Sequence, residues 1–248
     1  MKTIGVIPAR FASTRFPGKP LAKIDGKPMV QHVWEKAIQC KELDEVLIAC
    51  DHEDVFKAAK SFKARAVMTD PKHPSGSDRI AEAVKDLKVE IVFNIQGDEP
   101  FIAPTAIDAL AVLLKHDANI LMGTVIKPLT DQADIANPNV VKCVVDDQGF
   151  ALYFSRAPIP YHRAHLSTGT MYYKHLGLYA YRKDFLMEFK NWPNGSLETV
   201  EQLEQLRALE RGVKIKTTVT TFESIAVDTP QDLQKAIAWY DKLKSTTK

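Results

Sequence analysis

The chain has 248 residues, enough to bury a sizeable core in one large α/β domain or in a domain with a subordinate lobe. Its 33 Lys and Arg residues nearly balance its 31 Asp and Glu residues, so the net charge is only +2. This balance argues against a general nucleic-acid or membrane-surface binder, although it leaves room for a local basic pocket around one phosphate ligand.

The first half of the chain alternates strand-like apolar runs with segments of helical periodicity. The predicted strands cover 3–7, 45–50, 64–68 and 90–95. The predicted helices cover 29–38, 53–62, 77–87 and 104–114. This order predicts an α/β fold with a mostly parallel sheet covered by helices on both faces. Right-handed crossovers would place the carboxyl ends of the strands at one edge, where ligands bind in open α/β sheets.

The alternation breaks in the middle of the chain. Residues 140–145 and 150–154 flank Asp146-Asp147-Gln148-Gly149, a pattern typical of a β-hairpin. The later predicted elements are strands at 172–181 and 213–219, a Leu-rich helix at 196–211, and a last helix that Thr229 caps, with Pro230 in its first position. We therefore predict one domain over 1–248, in which 128–195 forms an inserted, β-rich lobe.

Cysteine and histidine spacing gives no sign of a metal or disulfide framework. The cysteines lie far apart in apolar runs, which predicts buried reduced thiols at Cys40, Cys50 and Cys143. Four histidines without ligand spacing are expected on the surface or in loops: His32, His116, His162 and His165. With no signal-peptide pattern and no apolar run that could span a bilayer, a cytoplasmic protein is expected.

Three cations, Arg10, Arg15 and Lys19, lie in the loop that follows the first strand, at the expected ligand edge. Arginine can bind a phosphate through two donors, while lysine acts as a compact charge. The loop is not a Walker A motif, because Pro20 follows Gly18-Lys19 where that motif has Ser or Thr. From spacing alone, a phosphate-binding loop and a basic surface loop are about equally supported.

Acidic residues at three places are candidates for metal binding. Asp98 directly follows the strand at 90–95, at the same edge as the cationic loop, where a carboxylate could hold Mg²⁺ against triphosphate oxygens. Asp228 precedes the cap of the last helix, where an acidic side chain is often only a favourable charge. The pair Asp146-Asp147 invites comparison with the metal-binding Asp-x-Asp of glycosyltransferases, but a solvated hairpin turn is the better interpretation.

Several segments, taken in order, resemble one family. Ile7-Pro8-Ala9-Arg10, Ser13-Thr14-Arg15 and Pro17-Gly18-Lys19-Pro20-Leu21 resemble the signature of sugar-acid cytidylyltransferases. The segments that narrow the resemblance to the branch for 3-deoxy-D-manno-octulosonate (KDO) are 51–54, 96–100, 151–156, 175–179 and 227–233. The resemblance implies a nucleotide-binding α/β fold with an inserted dimerisation lobe, a homodimer, and a place in lipopolysaccharide biosynthesis.

The same resemblance implies roles for individual residues. Nucleotide contacts would come from Pro8, Ala9, Arg10 and Lys19 and, in the loop that enters the helix at 77–87, from Ser75, Gly76, Ser77 and Arg79. Ser77-Asp78 departs from the Thr-Glu of many members, and Ser77 could instead simply cap the helix. Asp98 and Asp228 would bind Mg²⁺ jointly. The sugar acid, which needs a fixed cation and several polar partners, would meet Gln96, Arg156, His175 and Tyr179. Glu204 and Gln205 stand at even odds between sugar contacts and solvent exposure.

The implied reaction joins CTP and KDO into CMP-KDO with release of pyrophosphate. Arg10, Arg15, Lys19 and Asp98 would carry the catalysis through charge stabilisation and positioning. A related acidic sugar, 8-amino-KDO or a sialic-type nonulosonate, would need a similar pocket. A nucleotide-sugar-dependent glycosyltransferase and a non-catalytic CTP-binding protein are the alternatives from other classes. The partners expected are therefore small-molecule substrates, with no nucleic acid and no membrane.

Overall fold

The computed structural model describes residues 1–12, 15–163, 172–223 and 225–246. Ser13 and Thr14 of the cationic loop, and His165, lie outside the described residues. The chain divides into two compact units, the first formed by Met1–Asp108 with Glu223–Lys248 and the second by Ala109–Phe222. The assignment of 128–195 to sugar binding and dimerisation stays a prediction.

The first unit has the alternating strands and helices that the sequence predicts. Its strands are β1 (Thr3–Ala9), β2 (Lys23–Ile24), β3 (Lys27–Pro28), β4 (Glu45–Cys50), β5 (Arg65–Met68) and β6 (Ile91–Asn94). Its helices are α1 (Met29–Ala37), α2 (Glu53–Ser61), α3 (Gly76–Val84) and α9 (Pro230–Thr246), together with a 3-10 turn at Lys19–Leu21. The helix α4 (Pro104–His116) contains the boundary between the units.

Four strands of this unit form a parallel sheet in the order β6-β1-β4-β5. The central strand β1 is almost wholly buried, in keeping with the continuous apolar sequence that parallel strands require. The helices α1, α2 and α3 pack against these strands. The predicted parallel α/β arrangement is therefore confirmed, and the loops that follow β1 and β6 leave the sheet at the same edge, since these two strands are parallel neighbours.

A second apolar cluster holds the last helix in place. Phe101, Val227 and Ala236 are buried together with residues of the segment around α1. Thr229 caps α9 as predicted, since its Oγ1 accepts from the Asp232 amide at 3.2 Å. The segment before the cap is fixed by the Val227 amide, which donates to the Asp98 carbonyl at 2.9 Å. This bond joins the chain at Asp98 to the chain at Asp228, although they lie far apart in sequence.

The second unit is richer in strands. Its strands are β7 (Met122–Leu129), β8 (Lys142–Val145), β9 (Ala151–Ser155), β10 (Tyr172–Arg182) and β11 (Ile215–Val219). Its helices are short: α5 (Gln132–Ala136), α6 (Lys183–Phe189), α7 (Ser196–Glu201) and α8 (Leu206–Glu210). The strand β11 runs parallel to β7. The strand β10 is antiparallel to β7 and to β8, and β8 is antiparallel to β9.

The strands β8 and β9 are the predicted hairpin, with Gly149 at φ 76° in its turn. The pair Asp146-Asp147 lies in that turn, where the Asp146 carboxylate accepts from the Gln148 and Phe150 amides at 2.9 and 2.7 Å.

Two sequence-based predictions about local structure are wrong. The helix expected at 196–211 is two helices, because Gln202 ends α7 in the left-handed conformation at φ 54° and the chain turns before Leu206. His32 is buried rather than exposed. It lies on the buried face of α1, and its Nε2 is 2.8 Å from the Ile24 carbonyl.

The three cysteines are free and buried, as expected. Among the helices of the described residues, none is both long and apolar enough to span a bilayer.

Candidate functional site

The cationic loop after β1 is shaped by bonds at both ends. Gly18, at φ 70°, adopts a left-handed turn that an L side chain would strain, and its amide donates to the Phe11 carbonyl at 3.0 Å. The Phe11 amide donates to Asp51 Oδ1 at 2.8 Å, and the Phe11 ring stacks on His52 at 3.9 Å between centroids. These contacts anchor the base of the loop to the carboxyl end of β4, so its cations are held near the sheet edge.

A cavity of about 400 Å³ opens at this edge of the first unit. Its lining joins the carboxyl end of β1, the cationic loop, the start of α3, the turn after β6 and the segment before α9. The residues are Pro8, Arg10, Ala12, Arg15, Lys19, Pro20, Gly76, Gln96, Gly97, Asp98 and Asp228. The structure thus brings together residues that the sequence assigns to nucleotide and metal binding, including Asp228 from the far end of the chain.

Lys19 lies between the two carboxylates predicted to bind metal. Its Nζ donates to Asp98 Oδ2 at 2.8 Å and to Asp228 Oδ1 at 3.1 Å. Arg15 also contacts Asp228, at 3.3 Å from Nη2 to Oδ1, while Arg10 remains exposed and reaches the Pro74 carbonyl at 3.5 Å. Burial disfavours the charged ammonium, but the two carboxylates outweigh it, so the pKa of Lys19 is raised above its ordinary value.

The donor set of this cavity fits a small hard cation. Asp98 and Asp228 already converge on one positive nitrogen, and their oxygens are the ligands that Mg²⁺ prefers. Among the described residues, no three His, Cys, Asp or Glu side chains converge as a metal cluster. A Mg²⁺ ion needs only one or two protein carboxylates, because substrate phosphates and water normally complete its coordination, and magnesium binding here stays a prediction.

The turn after β6 requires glycine for a close backbone approach. A Cβ at Gly97 would lie 2.7 Å from the Pro8 carbonyl oxygen, so a side chain there would force β1 and the turn apart. Gln96 lines the cavity beside Asp98, and its Nε2 donates to Asn94 Oδ1 at 2.9 Å. The structure therefore puts Gln96, predicted to contact the sugar, at the same cavity as the nucleotide-binding candidates.

The segment that leads into α3 needs one correction. Ser75, not Ser77, caps the helix, because its Oγ accepts from the Asp78 amide at 3.1 Å. Ser77 is buried at 1 % exposure, and its predicted contact with the nucleotide stays a prediction. Arg79 is also withdrawn from the cavity. Its side chain is 0 % exposed and pairs with Asp51 at 3.0 Å, the same carboxylate that holds the Phe11 amide. Arg79 therefore supports the cationic loop from behind, and its predicted direct contact with the nucleotide stays a prediction.

In the second unit, Arg156 is fixed at the end of β9. Its Nε donates to the Glu201 carbonyl at 2.7 Å, Nη1 to the Pro138 carbonyl at 3.0 Å, and Nη2 to the Gln202 carbonyl at 3.4 Å. Its amide donates to the Glu201 carboxylate at 2.9 Å. Because neutral carbonyls accept from the guanidinium, its positive charge is oriented without being cancelled.

His175 and Tyr179 lie together on β10, on either side of a register irregularity. Their rings are 5.3 Å apart, and Phe154 packs edge-on against His175 at 4.9 Å. Burial lowers the pKa of His175 to about 3 and raises the pKa of Tyr179 well above its ordinary value, so both are neutral near pH 7. Thr124 Oγ1 donates to the Leu178 carbonyl at 2.8 Å, so its contact with His175 Nε2 at 3.0 Å requires the imidazole to donate. The lone pair then lies on Nδ1 and can accept from a hydroxyl.

Glu204 and Gln205 lie between α7 and α8 rather than on a continuous helix. Glu204 is partly exposed at 31 %, but Gln205 is 3 % exposed, which rules out simple solvent exposure for Gln205. Its Nε2 is buried without a hydrogen-bond partner among the described residues. A buried donor left unpaired is costly, so this amide indicates a position where a ligand acceptor would be stabilising.

Several residues that support these sites were not predicted from the sequence. Asp51 was noted only as part of a resembling segment, and Lys142 and Glu201, which bond to Arg156 in the second unit, were not considered. The available signal was a charged residue inside an apolar run, as at Val141-Lys142-Cys143. A buried charge of this kind is rare unless it is paired or hydrogen-bonded.

Comparisons with known proteins identify the family of this chain. The family model described as Cytidylyltransferase matches residues 4–215. A protein from Solibacter usitatus named 3-deoxy-manno-octulosonate cytidylyltransferase is 53 % identical over 234 residues, which are 94 % of this chain and 92 % of that protein. A protein of the same name from Geobacter sulfurreducens is 47 % identical over 253 residues, covering 98 % of this chain and all of its own length (100 %).

Solved structures extend the similarity to the fold. The structure of CMP:2-keto-3-deoxy-manno-octonic acid synthetase complexed with CTP is 40 % identical and aligns with a TM-score of 0.93, over 98 % of this chain and 99 % of that one. The 4-diphosphocytidyl-2C-methyl-D-erythritol synthase of Anaerococcus prevotii aligns with a TM-score of 0.63 at 15 % identity, over 97 % of this chain and 99 % of that one, which shows the fold alone. The predicted fold class and the predicted family resemblance are both confirmed.

Proposed function

Because this chain belongs to the cytidylyltransferase family, we propose that it transfers CMP from CTP to the anomeric hydroxyl of KDO and releases pyrophosphate. The observation that carries the proposal is the cavity in which Lys19 joins Asp98 to Asp228 below a cationic loop. Arg10, Arg15 and Lys19 give this cavity three positive charges against two carboxylates. That excess suits a polyanionic triphosphate.

The first unit binds CTP. Arg10 and Arg15 are exposed at the cavity and can reach phosphate oxygens, while Pro8 and Gly76, the first residue of α3, line the side that we assign to the nucleoside. Asp98 and Asp228 would hold Mg²⁺, which when bound neutralises phosphoryl oxygens and orients the triphosphate. With a cation on these carboxylates, Lys19 would donate to phosphate oxygens instead, because its ammonium and the cation would compete for the same carboxylate oxygens.

The second unit binds the sugar acid. Arg156 offers a fixed positive charge for the carboxylate, and Gln205 offers a buried donor that the described residues leave unpaired. His175 and Tyr179 are neutral, so they recognise hydroxyl groups without adding charge. Glu204 is partly exposed and can accept from a further hydroxyl. This combination of one fixed cation, several neutral polar groups and one carboxylate acceptor matches an acidic, polyhydroxylated sugar.

Transfer requires the two substrates to be held in line. The anomeric oxygen forms a bond to the α-phosphorus, the bond from that phosphorus to the bridging oxygen of pyrophosphate breaks, and the hydroxyl proton passes to solvent. Arg10, Arg15 and Lys19 stabilise the charge that develops on the phosphoryl oxygens and on the leaving pyrophosphate. The product is a phosphodiester between CMP and the sugar, the activated form from which lipopolysaccharide synthesis can transfer KDO.

Release of pyrophosphate from CTP tests the proposal against its alternatives. Purified protein with Mg²⁺ is assayed with CTP and, separately, KDO, 8-amino-KDO and a sialic acid. The proposal expects release with KDO at the highest kcat/KM and none without a sugar. Preferred turnover of 8-amino-KDO or of the sialic acid would assign that sugar, instead of KDO, as the substrate. Binding of CTP without release, or turnover of a nucleotide-sugar alone, would support the non-catalytic and glycosyltransferase readings respectively.

The protein acts as a homodimer in the cytoplasm, where its nucleotide substrate is available. Exposed apolar side chains of the second unit, Leu152 at 61 % and Val200 at 82 %, support a contact surface between copies of the chain. Light scattering should give a mass near twice that of the 27.8 kDa chain. A monomeric mass at assay concentration would contradict the dimer, and fractionation of cells would test the compartment.

A further inference from the structure

Lys142, on β8 of the second unit, has a fully buried ammonium. The residue is 0 % exposed. Its Nζ donates to three backbone carbonyls, at 2.8 Å to Asn137, 2.6 Å to Val140 and 2.6 Å to Arg156. An ammonium has three N–H donors, so every one of them is used and the group is rigidly held.

Burial of this ammonium is energetically unfavourable, which indicates that its positive charge serves a function. Taking an ammonium out of water is expensive, and carbonyl dipoles offset the cost without cancelling the charge. The carboxylate in the neighbourhood, Glu201, bonds elsewhere: its Oε1 accepts from Ser155 Oγ at 2.6 Å and its Oε2 from the Arg156 amide at 2.9 Å. Burial lowers the pKa of Lys142, which Glu201 opposes and Arg156 reinforces. Lys142 and Arg156 thus face one carboxylate, an excess of one positive charge.

The three acceptors of Lys142 all belong to the surroundings of Arg156. One is the carbonyl of Arg156 itself, and the other two, at Asn137 and Val140, bracket Pro138, whose carbonyl accepts from the Arg156 guanidinium. The ammonium therefore fixes both the backbone that carries Arg156 and the turn that aims its side chain. Three of the five N–H donors of the guanidinium bond to carbonyls, and the other two suit a paired contact with a carboxylate.

We propose that Lys142 is a positioning residue that makes the sugar site selective for an acid, by orienting Arg156 and by adding an uncancelled positive charge behind it. The inference rests on the proposed function, since that assigns the sugar carboxylate to Arg156. It differs from a purely structural role because it concerns the charge of the ligand. Lys142 does not touch the sugar; it acts through Arg156.

The test compares an acid with its neutral analogue in wild-type and variant protein. Lys142→Gln keeps polar atoms but loses the charge, and Lys142→Met loses both. Steady-state kinetics give KM and kcat for CTP and KDO, and competition against KDO gives the inhibition constant of its C1 carboxamide. Lys216→Gln is the matched control, because it removes a lysine of the same unit whose Nζ bonds at the Gln148 carbonyl, away from Arg156.

We expect Lys142→Gln to raise the KM for KDO at least tenfold, with the KM for CTP and the inhibition constant of the carboxamide changing less than twofold. Lys142→Met should show the same selectivity, and Lys216→Gln should resemble wild type. Equal losses for acid and carboxamide would overturn the proposal. So would loss of CTP binding by both Lys142 variants, since that would mean that the lysine serves folding alone. If wild-type protein does not turn over KDO, the proposed function fails instead, and the two failures are distinct.

Discussion

Removing Asp51 should destabilise the first unit strongly, because it would leave a buried guanidinium without its partner. The side chains of Asp51 and Arg79 are 5 % and 0 % exposed, and they are 3.0 Å apart. Loss of one partner of a buried ion pair costs about 3–5 kcal/mol of unfolding free energy. At 2–4 °C per kcal/mol for a chain of this size, the melting temperature of Asp51→Ala should fall by roughly 6–20 °C.

The same substitution should weaken CTP binding, since Asp51 also accepts from the Phe11 amide at the base of the cationic loop. Asp51→Asn separates the effects, because an amide oxygen can still accept from Phe11 while the charge is lost. We expect Asn at this position to keep more CTP affinity than Ala, with a large stability loss in both. Urea unfolding and CTP titration provide the two readouts.

A double-mutant cycle with Arg79→Met tests the pairing itself. The double variant should lose less stability than the sum of the single variants, because it leaves no unpaired charge. Lys57→Ala is the control, since Lys57 and Glu53 form an exposed pair on α2 and should contribute less than about 1 kcal/mol. A loss below about 1 kcal/mol for Asp51→Ala, or strict additivity in the cycle, would show that the buried pair does not stabilise the first unit as proposed.

Three further predictions concern the proposed substrate sites. Lys19→Ala and Asp98→Ala should each reduce kcat by about 10²–10³-fold while leaving the fold intact, and near-normal pyrophosphate release by a folded variant would contradict their assignment. The stability of wild-type protein should fall as pH drops from 6.5 towards about 3, because unfolded His175 gains a proton in that range that the folded imidazole, with its pKa lowered to about 3, does not. Urea unfolding at several pH values should give a smaller fall for His175→Gln, and equal falls would show that His175 is not responsible. Gln205→Leu should be at least as stable as wild type, since it removes an unpaired buried donor, yet should raise the KM for KDO about tenfold or more; unchanged KM would remove Gln205 from the sugar site.

The sequence was sufficient for features that depend on local pattern. Apolar runs and helical periodicity predicted the parallel strands of the first unit, and a Gly-containing turn predicted the hairpin of β8 and β9. Strand order then predicted that Lys19 and Asp98 would lie at one sheet edge, where they are 2.8 Å apart. These predictions succeed because each depends on residues near in sequence or on a general rule of sheet topology.

Features that depend on tertiary contacts could not be read from the sequence. The break at Gln202 lies inside a run with helical periodicity, and only its left-handed conformation reveals two helices. Arginine is a residue type that often binds phosphate, yet the partner of Arg79 is Asp51, 28 residues away in sequence. Lys142 lies in an apolar strand, and its proposed role depends on three carbonyls that converge on its ammonium only in the folded chain.

An oxygen label tests cytidylyl transfer most directly. Sugar acid labelled with ¹⁸O at the anomeric hydroxyl is mixed with CTP, Mg²⁺ and protein, and the product is followed by ³¹P NMR. We expect CTP to be converted one-for-one to pyrophosphate and a CMP-sugar phosphodiester, whose phosphorus resonance carries the isotope shift of a bridging ¹⁸O. An unshifted product resonance, or formation of CMP and pyrophosphate without the sugar ester, would contradict attack by the anomeric oxygen at the α-phosphorus.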